Sequence, residues 1–250
     1  MTWSILFILF FLGMVVGIVN VISAGGSLIS LPVLVFLGLP SAMANGTNRI
    51  GILAQNISAF IEFYRKGLIK WKLSLLLSIP AVIASVIGAA FAIDLPDTIF
   101  NNIMAIIMVV VILLTLFKPQ QHVKGKNHEF TLGKKVLLFI SFLLVGFYGG
   151  FIQAGVGFLI IAFLTLFASQ LRLVEMHSIK TVVVTIYMLI STVVYIMHGQ
   201  VNWLYAVILA LGSWIGGWLG SKFAMKVSEK ILKMTMTLVI FAMAMVLLFF

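Results

Sequence analysis

Long apolar runs alternate with short polar connections along the chain: Trp3 to Ile22, Leu73 to Ile93, Ile99 to Phe117, Val136 to Ile152, Val182 to Met197, Leu204 to Leu219 and Ile231 to Phe250. Each approaches the ~20 residues that a helix needs to cross a bilayer, so the pattern predicts an all-α polytopic membrane protein of about 8–10 transmembrane segments. Two further apolar stretches, Leu28 to Leu37 and Phe158 to Ala168, are too short to span in the usual way. They either cross as short helices or dip in as re-entrant hairpins.

The polar interruptions are as informative as the runs. Ala24-Gly25-Gly26-Ser27 breaks the first apolar segment, and Ala44-Asn45-Gly46-Thr47-Asn48-Arg49 follows soon after. In lipid a chain leaves the helix only where protein or a water-filled cavity satisfies its backbone, so a Gly-Gly-Ser break at membrane depth marks a candidate site. The competing use of Gly25 and Gly26 is close helix packing.

Composition agrees, at 63% hydrophobic and 9% charged residues. The start, Met1-Thr2-Trp3, lacks the basic n-region of a secretory signal, so the first run reads as a retained helix. Cysteine is absent, which removes disulfides, thiol catalysis and cysteine metal sites. His122, His128 and His198 show no ligand spacing, so neither metal nor cofactor is expected.

The net charge of +10 would suggest nucleic acid in a soluble chain. Here its placement gives topology, and no nucleic-acid partner is expected. Thirteen of the sixteen Lys and Arg fall in three clusters, at Arg65 to Lys72, Lys118 to Lys135 and Lys222 to Lys233. The positive-inside rule puts these in the cytoplasm, where they also attract anionic lipid headgroups. The loops Asp94 to Asp97 and His198 to Asn202 carry no Lys or Arg and read as external.

An internal repeat appears at an offset of 132 residues: Gly67-Leu68-Ile69-Lys70-Trp71 pairs with Gly199-Gln200-Val201-Asn202-Trp203, and Gly88 with Gly220. Shifted by two, Ala24-Gly25 pairs with Ala154-Gly155. The halves are residues 1–117 and 134–250, joined by a basic cytoplasmic linker, 118–133. Equivalent loops carry opposite charge signatures, which predicts an inverted-topology repeat with broken or re-entrant helices and a midplane site. The sequence specifies no oligomeric state.

Helix starts are expected at Ser27, at Asn45 or Thr47, at Gly157 and at Ser178. Starts converging near the midplane would gather unpaired N–H groups and positive dipole ends, favouring an anion. Arg49 and Lys180 lie outside the basic clusters at nearly equivalent repeat positions, and such a pair would form an anion trap; snorkelling to an interface is the alternative. Arg172 reads as a loop residue. Glu62 reads first as an ion-pair partner of Arg65 or Lys66, and Glu175 as balancing Arg172 or Lys180. His177, and with it Glu62, could instead couple protons to transport. Gln153 and Gly155 fall in the second break, and Asn20, Gln55, Asn56 and Gln153 either line the cavity or bond between helices.

The Gly-rich break with its downstream Pro32, the Ala44-Asn45-Gly46-Thr47-Asn48 run, and Gly67-x-Ile69-x-Trp71, with a degenerate second copy, resemble the TauE/SafE sulfite exporter family. The resemblance covers essentially the whole chain. It implies a multi-pass cytoplasmic-membrane permease for sulfite or a small organosulfur anion such as a sulfonate. The second copy departs from the first: no proline follows Gly157, and Met176-His177-Ser178-Ile179-Lys180 replaces the Asn-Gly-Thr-Asn run. The expected site comprises Gly25, Gly26, Ser27, Asn45, Gly46, Thr47, Asn48, Arg49, Gln153, Gly155, Gly157, Ser178 and Lys180. With the cell interior negative, each negative charge leaving gains roughly 2.3 kcal/mol per 100 mV, which favours export. The alternatives are a proton-coupled carrier of another small anion, an intramembrane enzyme, for which no nucleophile and base or carboxylate pair presents itself, and a membrane assembly factor.

Overall fold

The computed structural model describes residues 3–23, 26–116, 132–226 and 234. Among them are nine helices and no strands: α1 (Trp3–Ser23), α2 (Ser27–Phe36), α3 (Ser41–Arg65), α4 (Trp71–Ile93), α5 (Asp97–Leu116), α6 (Leu132–Phe151), α7 (Val156–Phe167), α8 (Leu173–Met197) and α9 (Trp203–Lys226). The chain is an all-α polytopic membrane protein. The apolar run from Ile231, most of the basic linker, and Gly25 lie outside the described residues.

Five helices, α1, α4, α6, α8 and α9, are long and apolar enough to cross a membrane. Helix α3 has 25 residues but is more polar, because its buried face carries Asn45, Asn48, Arg49, Gln55 and Asn56. Its neighbours shield it instead of lipid. On the periphery, Leu75, Ile79, Ile83 and Ile87 of α4 and Leu204, Val207, Leu211 and Trp218 of α9 are exposed. Such a band is stable in hydrocarbon and unstable in water.

The two short apolar stretches are helices of 10 and 12 residues, or about 15 and 18 Å at 1.5 Å per residue. Neither spans ~30 Å of hydrocarbon alone. Each follows a long helix across a break, and the order of lengths 21, 10, 25 and 23 residues in α1 to α4 recurs as 20, 12, 25 and 24 in α6 to α9. The turn after α3 and the turn after α8 match in detail. Gly67 and Gly199 are left-handed, at φ +64° and +67°. The following amides reach back, Leu68 N–H to the Phe63 carbonyl at 3.1 Å and Gln200 N–H to the Tyr195 carbonyl at 2.8 Å.

Glycine contacts reveal helix direction. Phe10, Met14 and Ile18 of α1 meet Gly212, Gly216 and Gly220 of α9 in that order, so the pair is parallel. Gly46, Gly51 and Gln55 meet Gln200, Leu209 and Gly217, so α3 runs with them. Ala81 and Ser85 of α4 meet Gly146 and Gly150 of α6, a second parallel pair. Helix α8 joins it: Ser178 Oγ donates to the Leu68 carbonyl just before α4, and Ser85 Oγ approaches the Tyr187 carbonyl at 3.5 Å. The two sets oppose each other where Asn45 meets Tyr195 and Arg49 meets Ser191 across α3 and α8. Each set takes two helices from one half of the chain and one from the other. Without a hydrophobic force between helices in lipid, glycine permits the close backbone contact that holds such sets together.

The ends are chemically distinct. Lys70 pairs with Glu175 at 2.8 Å, joining the α3–α4 turn to the start of α8. Arg65, Lys66, Lys72 and Arg172 share that end, as do Lys134 and Lys135 at the start of α6 and Lys222 and Lys226 at the end of α9. At the other end Asp97 accepts from the Ser41 amide at 2.8 Å, and Thr47 Oγ1 accepts from the Asn202 amide at 2.9 Å. By the positive-inside rule the basic end is the one expected to face the cytoplasm, and it is called the cytoplasmic end below.

Two expected helix starts are corrected. Helix α3 begins at Ser41, not at Asn45 or Thr47, because Pro40 sets the turn and Asp97 holds the first amide. Helix α8 begins at Leu173, not near Ser178, because the Glu175 carboxylate accepts from the Arg172 amide at 2.9 Å. The starts of α3 and α8 therefore lie at opposite ends of the molecule. Only those of α2 and α7 meet.

Candidate functional site

The meeting of α2 and α7 is the centre. The Gly155 amide donates to Ser27 Oγ at 3.3 Å, both groups buried. Two helix N-termini, each with a partial positive charge, thus abut through one hydrogen bond. Gly157 lies buried in the first turn of α7, and Gly26 precedes α2, packed so closely on Val16 and Asn20 of α1 that a Cβ would meet the Val16 carbonyl at 2.3 Å. The second break is held in an uncommon backbone shape. Gln153 has φ +68° and Gly155 φ +73°. Gln153 Oε1 accepts from Tyr187 Oη at 2.6 Å, and Tyr148 Oη donates to the Ala154 carbonyl. Gly155→Ala should cost roughly 1–2 kcal/mol, the penalty of a Cβ in the left-handed region; thermal unfolding of purified protein in detergent checks it.

Arg49 projects from the third turn of α3 into the end of α6, fully buried. Its Nη1 donates to Ser191 Oγ at 3.1 Å and its Nη2 to the Gly149 carbonyl at 2.9 Å and the Gly150 carbonyl. The guanidinium lies 4.4 Å from the centre of the Tyr195 ring. Asn45, one turn earlier, donates from Nδ2 to the Phe151 carbonyl at 2.6 Å and to Tyr195 Oη at 2.8 Å. Together they close the negative end of α6, a task usually left to a cation near a helix C-terminus.

Lys180 does the same for α1. Its Nζ donates to the Asn20 carbonyl at 2.8 Å and the Val21 carbonyl at 3.3 Å, and only 3% of the residue is exposed. His177, one turn before it, is buried with neither ring nitrogen hydrogen-bonded among the described residues. So Asn45 and Arg49 of α3 close α6, while Lys180 of α8 closes α1. Neither deep cation has a carboxylate within 4 Å among the described residues, whose ion pairs are Glu62–Arg65, Lys70–Glu175 and Arg172–Glu175. Helix carbonyls take the carboxylate's place.

Some expected site residues serve elsewhere. Thr47 holds the Asn202 amide, and Gly46 gives room for the Gln200 carbonyl, which a Cβ would meet at 1.9 Å. Ser178 donates to the Leu68 and Glu175 carbonyls. These are loop anchors at opposite ends of the molecule. Glu62 lies 3.8 Å from Arg65 at the cytoplasmic end, as an i,i+3 ion pair, and Glu175 balances Arg172 and Lys70 rather than Lys180.

Several buried polar atoms near α3 have no hydrogen-bond partner among the described residues: both amide atoms of Asn48, Arg49 Nε, Asn45 Oδ1, Ser30 Oγ and Thr192 Oγ1. Asn48 lies one turn from Asn45 on α3, and Thr192 adjoins Ser191 on α8. Buried polar atoms are ordinarily paired, so these donors and acceptors are the unmet hydrogen-bonding capacity of the interior. Sequence reading missed Ser191, Thr192, Tyr187 and Tyr195. A tyrosine inside an apolar span, whose hydroxyl must find a partner, was the available signal.

Comparison with known proteins covers nearly the whole chain. Residues 9–247 match the family described as sulfite exporter TauE/SafE. A probable membrane transporter protein of Haemophilus influenzae is 27% identical over 241 residues, covering 96% of this chain and 93% of that one. The probable membrane transporter protein ORF9 of a Sinorhizobium species is 26% identical, over 98% and 92% of the two chains, and the probable membrane transporter protein YunE of Bacillus subtilis is 26% identical, over 93% of each. No solved structure gives a significant match. With its crossing helices, its two broken segments and this match from end to end, the chain belongs to the sulfite exporter TauE/SafE family, a family of membrane transporters and not of enzymes.

Proposed function

We propose that the protein exports sulfite or a small organosulfonate across the cytoplasmic membrane by alternating access. The observation that carries this reading is the Asn48 amide, fully buried in α3 with neither atom partnered, next to a guanidinium with one unpartnered N–H. A tetrahedral or pyramidal oxyanion presents acceptors that these donors and the hydroxyls of Ser30 and Thr192 fit. The abutting starts of α2 and α7 add positive potential, and among the described residues no carboxylate lies within 4 Å of Arg49 or Lys180, so an anion is favoured over a cation or a neutral solute. The family description supports sulfur oxyanions within that class.

The helix directions support an inverted repeat. Equivalent helices by length and turn, α1 and α6, α3 and α8, α4 and α9, fall in opposed sets. In such folds the halves rock around a fixed central site. An inside-negative potential drives the anion outward without a coupled ion, at roughly 2.3 kcal/mol per charge per 100 mV. Proton-coupled movement of another small anion is the second reading, favoured by buried His177 beside Lys180; a change in lumenal pH accompanying transport distinguishes it.

The test is efflux of sulfite from loaded proteoliposomes under an applied potential, with thiosulfate, sulfate and small sulfonates as competitors. Asn48→Leu should lower efflux at least roughly tenfold while leaving thermal stability unchanged or raised, because an unpartnered buried amide is costly to the fold. Wild-type efflux from that variant would remove Asn48 from the site.

A further inference from the structure

Two cations face two helix ends in a reciprocal arrangement that the binding role alone does not require. Each sits on a long helix of one half and grips the broken helix of the other: Arg49 of α3 on α6, and Lys180 of α8 on α1. Their depths differ in a useful way. Arg49 is eight residues from the start of α3 at the external end, about 12 Å along the helix, and Lys180 is seven residues from the start of α8 at the cytoplasmic end, about 10 Å. One contact therefore lies in the outer third of the molecule and the other in the inner third.

The broken helices come from opposite faces. Helix α6 starts at the basic end beside α4, runs outward, and stops where Arg49 and Asn45 take its last carbonyls. Helix α1 starts at the external end beside α9, runs inward, and stops where Lys180 takes its last carbonyls. Between the two contacts lie Ser27 and Gly155 at the meeting of the short helices, with Ser30 one turn further along α2. Both contacts are made at once, and Ser27, Ser30 and Gly155 are all buried.

We infer that Arg49 and Lys180 are positioning residues that act as two separate latches, Arg49 holding the external side of the pathway shut and Lys180 the cytoplasmic side. The inference rests on the transport reading above and adds a sidedness to it. The chemistry of exchange is simple. Helix carbonyls hold each cation only through hydrogen bonds and partial charge, and an oxyanion offers the same cation a full charge. An anion at the Asn48 amide can draw the guanidinium off α6, which frees the end of α6 to move away from α3 and α8. Release on the external side then restores the carbonyl contacts. Lys180 plays the corresponding part when the site faces the cytoplasm.

The chain has no cysteine, so one can be introduced as a reporter. Ser30→Cys is conservative, and Ser30 is fully buried on α2 with an unpartnered hydroxyl. Its reaction with a membrane-impermeant charged thiol reagent is followed in right-side-out and in inverted vesicles, with Arg49→Gln or Lys180→Gln added. Arg49→Gln should raise the labelling rate from the external side, and Lys180→Gln from the cytoplasmic side. Each change should be at least roughly tenfold, the factor that loss of one charge-assisted bond produces in an opening equilibrium. Acceleration of both variants from the same side, or of neither, overturns the assignment. Should either variant fail to fold, Arg49→Lys or Lys180→Met carries the same test, since each weakens one latch and keeps the side chain's bulk. Labelling needs no substrate, so the outcomes separate. Sided labelling without sulfite efflux would sink the sulfite reading alone, and efflux with unsided labelling would sink the latches alone.

Discussion

Replacing Arg49 with alanine is expected to abolish sulfite efflux from loaded vesicles and to lower the unfolding free energy by about 2–4 kcal/mol. The two effects have one cause. The guanidinium bonds Ser191 and the carbonyls of Gly149 and Gly150 and covers the Tyr195 ring, and its removal leaves buried carbonyls at the negative end of α6 without a donor. Polar contacts between helices in a membrane average less than those of soluble cores, which sets the figure below the sum of three strong bonds. Arg49→Lys separates the effects: the ammonium keeps a charge near the end of α6 but lacks the planar fork, so stability should recover in part while efflux stays low. Transport assays and thermal unfolding on the same preparations measure both. Wild-type efflux from the alanine variant would take Arg49 out of the mechanism.

The second large effect is expected where two helix backbones touch, α1 against α9. Gly212 of α9 faces α1 so closely that a Cβ would lie 1.9 Å from the Phe10 carbonyl oxygen and 2.9 Å from its carbon. These are backbone atoms of a helix, which cannot turn aside as a side chain can. Gly212→Ala must push α1 and α9 apart along their whole parallel contact, at a cost of about 2–3 kcal/mol, the upper part of the range for overpacking. Gly133→Ala is the control, since a Cβ there meets nothing within 4 Å. A fall in unfolding temperature for Gly212→Ala and none for Gly133→Ala is the expected result. Equal stability of the two would mean that α1 and α9 do not depend on the close contact.

Legibility followed the physics of each feature. The long helices were readable because lipid demands runs of apolar residues, and lipid is the same for every helix that meets it. The two breaks were readable as breaks, since Gly25-Gly26-Ser27 and Gln153-Ala154-Gly155 interrupt such runs. The ends of α3 and α8 were misread. Asn45 and Ser178 look like caps in sequence, yet the caps are made by Asp97, from a different helix, and by Glu175 of the same turn. A contact across 56 residues leaves no local trace.

Arg49 and Lys180 illustrate the division most clearly. As intramembrane cations outside the basic clusters, with few acids to neutralise them, they could be singled out by their cost alone. What neutralises them could not be found that way, because a helix C-terminus offers carbonyls whatever its side chains are. Ser191 was invisible for a similar reason, being an ordinary residue of an apolar span until α3 is laid antiparallel against α8, and the partner of the Tyr195 hydroxyl was equally out of reach.

By itself, then, the sequence determined that this chain lives in a membrane, where its helices break and which buried charges need an explanation. Those follow from the solvent, which acts on residues one at a time. Only the tertiary structure decided that each half's cation closes the other half's broken helix, and that the starts of α2 and α7 meet through Ser27 and Gly155. Those depend on which helices are neighbours, and in lipid that choice is made by close packing and hydrogen bonds between distant segments, which no run of residues records.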